Sequence, residues 1–262
     1  MPYAAINGIE FYYEVHGQGA PVVFAHGAGG NHAIWYQQVP FFSRYYQVIT
    51  IDHRGFGHSD DVNNLGRSSF VDDLRALLDS LGIDRAALVA QSMGGGTAMG
   101  FAVQHPERTR ALVMADTLGG VALPEPLGTR QRINTEATRE LPQLERVMSR
   151  TLPLRDPAKA LLYLQVASFN KANDSRFAMP GLPAAPITLE QVQETSKTVP
   201  MLFLVGQEDI LQPPDLVAQA AALVPGSEFT VVPDAGHSVY FEQPEVFNYR
   251  VHAFLSEHVP VE

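Results

Sequence analysis

Leu88-Val-Ala-Gln-Ser-Met-Gly-Gly-Gly96 is the stretch on which the fold turns. The apolar run Ala86-Ala-Leu-Val-Ala90 enters it and a segment rich in small residues leaves it, the pattern of a buried strand that bends sharply into a helix. Such a bend strains the backbone at its tip. Strand and helix can approach closely only where the flanking residues are small, and Ala90, Gly94 and Gly95 meet that need. Ser92 stands at the tip, where it reads as an exposed nucleophile. The competing reading is a helix cap, because Ser is a favoured N-cap residue. Gly is the more frequent residue where Ala90 stands, so a methyl group sits where the turn is tightest.

Working outward, short apolar runs recur at 21–25, 46–51, 110–115, 201–205 and 228–232. Their apolarity is continuous rather than alternating, as expected of strands buried on both faces in a parallel sheet. Residues 3–15 read as two further strands joined at Asn7-Gly8, both of which tolerate the positive φ of a tight hairpin. Between the runs, Phe70, Leu74, Leu77, Leu78 and Leu81, and likewise Leu216, Ala220 and Leu223, recur at helical spacing. Alternation of strand and helix makes the class α/β. Residues 117–199 break the alternation, with helical stretches near 130–141, 143–151, 157–169 and 188–197 and prolines at 124, 126, 142, 153, 180, 183 and 186. This segment reads as a helical cap inserted into a single domain spanning 1–262.

The chain has 262 residues, 45% of them hydrophobic and 18% charged, which is the composition of a compact globular protein. A formal charge of -10 disfavours nucleic-acid and anionic-membrane partners, which call for clustered Lys and Arg. The first residues lack a basic segment followed by an apolar one, and no apolar run is long enough to span a bilayer. A cytoplasmic location is therefore expected. With no Cys, thiolate nucleophiles, thiolate metal ligands and disulfides are excluded.

A hydroxyl nucleophile needs a general base, and that base needs a carboxylate to orient it. His237, in Val232-Pro-Asp-Ala-Gly-His-Ser238, follows the last strand run, and Gly236 frees the backbone to aim the imidazole at the sheet edge. His105, His252 and His258 read as surface or capping histidines. Asp209, in Val205-Gly-Gln-Glu-Asp-Ile210, follows a buried strand and is the preferred acid; Asp116, which ends the preceding core strand, is the competitor. Glu208 points elsewhere, and Asp234 suits a turn. Attack on a carbonyl creates an oxyanion that needs N–H donors, here assigned to Met93 and, in the loop His26-Gly-Ala-Gly-Gly-Asn31, to Ala28. That loop lacks the Gly-Lys-Ser/Thr ending of a phosphate loop and the third Gly of a dinucleotide fingerprint. Asp52-His53, His58 and Asp60 match no common metal-ligand spacing, and Arg54 would repel a cation, so structural hydrogen bonding is the reading there.

Together and in this order, His26-Gly-Ala-Gly-Gly30, Asp52-His-Arg-Gly-Phe-Gly-His-Ser-Asp60, Ala90-Gln-Ser-Met-Gly94, Gly206-Gln-Glu-Asp209 and Ala235-Gly-His237 resemble the α/β-hydrolase superfamily. The resemblance covers 1–116 and 199–262, and it is strongest to small bacterial esterases, enol-lactonases and acyl-homoserine lactonases. It implies a mostly parallel eight-stranded sheet with helices on both faces, a triad in the order Ser92, Asp209, His237, and hydrolysis of a small-molecule ester or lactone by a monomer or homodimer. No cofactor or metal enters such chemistry. Carbon–carbon bond hydrolases, perhydrolases and ligand-binding receptors share the fold, whereas relatives with an Asp nucleophile are disfavoured by Ser92. Leu141, Leu144, Met148, Leu161, Leu162, Val166 and Phe169 of the cap, with Trp35 and Tyr240, are expected to line the acyl pocket.

Overall fold

The computed structural model describes residues 3–170 and 186–259. Its eight strands are β1 (Tyr3–Ile6), β2 (Ile9–His16), β3 (Pro21–Ala25), β4 (Gln47–Ile51), β5 (Ala86–Gln91), β6 (Thr109–Ala115), β7 (Met201–Gly206) and β8 (Glu228–Val232). They form one sheet in the order β1-β2-β4-β3-β5-β6-β7-β8. Only the β1/β2 and β2/β4 pairs are antiparallel. The Asn7-Gly8 hairpin forms as expected, with Asn7 at φ 46° and Gly8 at φ 76°.

The helices are α1 (Val39–Phe42), α2 (Phe70–Ser80), α3 (Met93–Gln104), α4 (Leu127–Thr138), α5 (Gln143–Val147), α6 (Leu152–Arg155), α7 (Pro157–Ser168), α8 (Leu189–Ser196), α9 (Pro214–Ala221), α10 (Val239–Glu242) and α11 (Pro244–His258). Each central strand feeds both sides of the sheet. Val23 and Ala25 of β3, Leu88 and Ala90 of β5 and Met114 of β6 join α2, α3 and α9 in one core. Val22 and Phe24, Ala87 and Val89, and Val113 and Ala115 join α11 and the 32–46 segment in the other. Period-two alternation between two buried faces is why these runs read as continuously apolar.

The inserted segment is closed at its base, where the Ala122 N–H donates to the Ile187 carbonyl at 2.9 Å. Met148 just after α5, Leu152 of α6 and Tyr163 of α7 join the second core. Helix α8, read from the sequence as part of the cap, instead contributes Val192 to the first core. Pro180 and Pro183 lie outside the described residues. Among the described residues no helix is long and apolar enough to cross a membrane.

Candidate active site

Because β3 pairs with β5 in parallel register, Ala25 opposite Ala90, the loop after β3 and the turn after β5 emerge side by side at the carboxyl edge of the sheet. This edge is where open α/β sheets bind ligands. Ser92 occupies the β5–α3 turn at φ 49°, ψ -114°, and its side chain makes no capping bond. The helix-cap reading of Ser92 is thereby removed. Neighbours hold the strained conformation in place: the Ser92 N–H donates to the Ala115 carbonyl at 3.1 Å, and the Thr117 hydroxyl donates to the Ser92 carbonyl at 2.8 Å. Gly94 is required by proximity, since a Cβ there would lie 2.3 Å from the Ala25 carbonyl oxygen. Ala90, fully buried, is accommodated in the first core.

His237 comes from the loop after β8 and Asp209 from the loop after β7. The Ser92 Oγ lies 2.8 Å from His237 Nε2, and His237 Nδ1 lies 2.8 Å from Asp209 Oδ2. The other carboxylate oxygen, Oδ1, accepts the N–H groups of Leu211 at 2.8 Å and Gln212 at 2.9 Å. The acid is thus clamped by its own loop. That loop is tied to the cap by Asn134, whose amide donates to the carbonyls of Ile210 and Leu211. Burial pushes the His237 imidazole toward its neutral form, but the charge and hydrogen bond of Asp209, with a contribution from Asp116, outweigh it and raise its pKa above the ordinary value.

Asp116 stands apart from the imidazole. Its Oδ1 accepts the Gly206 N–H and its Oδ2 the Val239 N–H, each at 3.1 Å, so it joins the end of β7 to the start of α10. Complete burial and the adjacent Asp209 charge push its carboxyl well above the usual range. Of the two acids weighed from the sequence, only Asp209 reaches His237.

Helix α3 begins at Met93, whose N–H is one of the orphan donors of a helix start. Ala28 shares a cavity with Ser92 and His237. The loop carrying Ala28 is held by His26, whose Nδ1–H donates to the Gly27 carbonyl at 2.7 Å while Nε2 accepts the His53 N–H at 3.1 Å. One donor and one acceptor require a neutral ring, and burial pushes the His26 pKa down to about 4. Asp52 has the structural part expected for its loop, accepting the N–H of His32 at 2.6 Å and of His58 at 2.7 Å.

Two positioning residues escaped the sequence reading. Gln91 sends Nε2 to the His237 carbonyl at 2.6 Å. Glu242, buried, accepts the Gly236 N–H at 2.8 Å and the Ser149 N–H at 3.1 Å, binding the histidine loop to the cap. Each is a polar residue ending an apolar run, and that was the available signal, because a buried polar group must find partners.

The cavity over Ser92 has a volume of about 300 Å³, at the small end for ligand sites. Its cap side is formed by Gln143, Arg146, Val147, Tyr163, Ala167 and Asn170. This corrects the expected lining. Leu161 is 56% and Phe169 63% exposed, Leu141 and Leu162 also face solvent, and Met148 and Val166 pack into the second core with Leu144 against it. Trp35 and Tyr240 are core residues with ring centroids 4.5 Å apart. On α7 the inward stripe is Ala160, Tyr163 and Val166, so apolar spacing alone pointed to the wrong residues.

A half-buried serine on a strained strand-to-helix turn, bonded to a histidine that is bonded to an aspartate, defines the class of proteins with a nucleophile elbow on an α/β sheet. A family profile described as the alpha/beta hydrolase fold matches residues 20–244, and the chain belongs to that family. A thermophilic esterase from Thermogutta terrifontis, solved with malate bound, is 29% identical with a TM-score of 0.81 over 99% of this chain and 98% of its own. Est816, an N-acyl homoserine lactone degrading enzyme, is 28% identical with a TM-score of 0.79, covering 97% of this chain and 100% of its own. The 2-hydroxy-6-oxononadienedioate/2-hydroxy-6-oxononatrienedioate hydrolase of Klebsiella pneumoniae is 29% identical over 90% of this chain and 86% of its own.

Proposed function

We propose that this chain hydrolyses short carboxylic esters through an acyl-enzyme on Ser92. The observation that carries the reading is the unbroken chain of 2.8 Å contacts from Ser92 through His237 to Asp209 at a strained turn. The His237 Nε2 takes the Ser92 proton as Oγ attacks the ester carbonyl, and the N–H groups of Met93 and Ala28 receive the developing oxyanion. The carbon–oxygen bond then breaks and the alcohol leaves with the proton from His237. Water, deprotonated by the same imidazole, releases the acid and restores Ser92. Throughout, Asp209 orients the ring and stabilises its charged form. The small cavity favours short acyl groups.

A Ser92→Ala protein with an unchanged near-ultraviolet dichroism spectrum should lose turnover of p-nitrophenyl acetate and labelling by a fluorophosphonate. Retention of full turnover would refute the reading. The likeness to Est816 over nearly the whole chain supports a second reading, lactone opening by the same groups. Likeness to the Klebsiella hydrolase extends the comparison to carbon–carbon bonds. Rates on an ester, an acyl-homoserine lactone and a vinylogous diketone acid decide among the three.

A further inference from the structure

Among the described residues, Arg146 is the cation that lines the cavity holding Ser92. It sits on the short cap helix α5, lines the cavity together with Ser92 and His237, and its Nε is sequestered from solvent with no hydrogen-bond partner. Three other arginines are engaged. Arg130 pairs with Asp215, Arg132 with Glu125, and Arg155 reaches Glu242 at 3.9 Å and donates to the Asp234 carbonyl at 2.7 Å. Nearby carboxylates are also committed. Glu242 accepts the N–H groups of Gly236 and Ser149, Glu208 accepts the N–H of Arg150, and Asp209 holds His237. Among the described residues no carboxylate forms an ion pair with Arg146.

A guanidinium drawn partly out of water without an anion is unfavourable, and its planar fork matches a carboxylate. The overall charge of -10 repels anions at long range, so attraction for one has to arise locally, inside the cavity. A singly charged ligand suits the single guanidinium better than a dianion, because the Asp209 carboxylate stands just behind His237. Its charge is also felt at the catalytic imidazole, whose pKa it opposes being raised.

We infer that Arg146 forms an anion subsite and that the substrate is a short ester or lactone carrying a free carboxylate. This rests on the serine-hydrolase reading above and narrows its substrate class. The carboxylate sits on the acyl or on the alcohol side of the scissile bond, and the substrate panel separates the two.

The test compares kcat/KM of the intact protein for methyl hydrogen glutarate against dimethyl glutarate, and for 4-acetoxybutanoate against pentyl acetate. Wild type should prefer the anion by roughly 10- to 100-fold in one pair, the range of a charge-assisted hydrogen bond. Arg146→Gln should abolish that preference by raising KM for the anionic member of the pair, with an unchanged near-ultraviolet dichroism spectrum reporting an intact fold. Arg146→Lys should keep part of the preference, since it retains charge but not the fork. Equal use of both members of each pair, or a preference that survives Arg146→Gln, overturns the inference while Ser92-dependent turnover of neutral ester persists. Absence of any Ser92-dependent turnover overturns the hydrolase reading itself, and the inference with it.

Discussion

Replacing Asp209 by Asn separates the two buried acids by their geometry. Asp209 Oδ1 accepts two loop N–H groups and Oδ2 accepts from His237 Nδ1, so the substituted side chain keeps its oxygen toward Leu211 and Gln212. Its amide nitrogen then faces Nδ1 as a donor. The imidazole must answer with an unprotonated Nδ1, which places its proton on Nε2 and leaves nothing to accept the Ser92 proton. A wrong tautomer in a triad of this kind costs about 10⁴-fold in kcat, or about 5.4 kcal/mol. Asp116→Asn is the contrast. Both of its oxygens accept backbone N–H groups, from Gly206 and Val239, so the amide leaves one buried donor facing another and lowers stability by about 1–3 kcal/mol. Initial rates on p-nitrophenyl acetate and urea denaturation of both variants form the assay. An Asp209→Asn enzyme with a tenth or more of wild-type kcat, or an Asp116→Asn enzyme that loses more kcat than it at unchanged stability, refutes the assignment.

Ser92→Gly should abolish turnover yet raise stability in urea by about 0.5–1 kcal/mol, because Gly adopts the φ of 49° without strain; a loss of stability would contradict the strain. Gln91→Ala removes the 2.6 Å bond to the His237 carbonyl and should lower kcat about tenfold with KM little changed; an effect confined to KM or to thermal stability would speak against a positioning part. Since His237 must be neutral to take a proton and its pKa is raised, kcat/KM should rise with pH through a midpoint above 6.5 and fall as pH drops below it. A midpoint below 6.5 in a pH series at constant ionic strength would contradict the dominance of Asp209 over burial.

The strand runs, the hairpin at Asn7-Gly8 and the β5–α3 turn were legible in the chain because each is enforced locally: apolar runs must be buried, and tight turns select Asn, Gly and Ser. His237 was legible from its place after the last strand, but Gly236 before it is required by close approach and not by a positive φ, since a Cβ there would lie 2.4 Å from the Met148 carbonyl carbon. Spacing made Asp209 the preferred acid but left Asp116 in contention, because both follow core strands at the same edge, and the paths of their loops decide which carboxylate meets Nδ1. Gln91 and Glu242 acquire their parts through partners 146 and 93 residues away in sequence.

The cap marks the boundary most clearly. Its apolar residues promised a greasy pocket, but a helix that packs on a core and also roofs a cavity divides its faces according to neighbours that the sequence does not name. Tertiary packing turned Leu161 and Phe169 to solvent and sent Met148 into the core. It brought Arg146 into the lining of the cavity that holds Ser92. The sequence by itself determined a strained serine at the edge of a parallel sheet, with a histidine and an acid to serve it, because strand burial and turn chemistry act over a few residues. Which acid reaches the histidine, and that an arginine lines the cavity, was decided only when separated segments came together, since those contacts depend on loop direction and helix rotation.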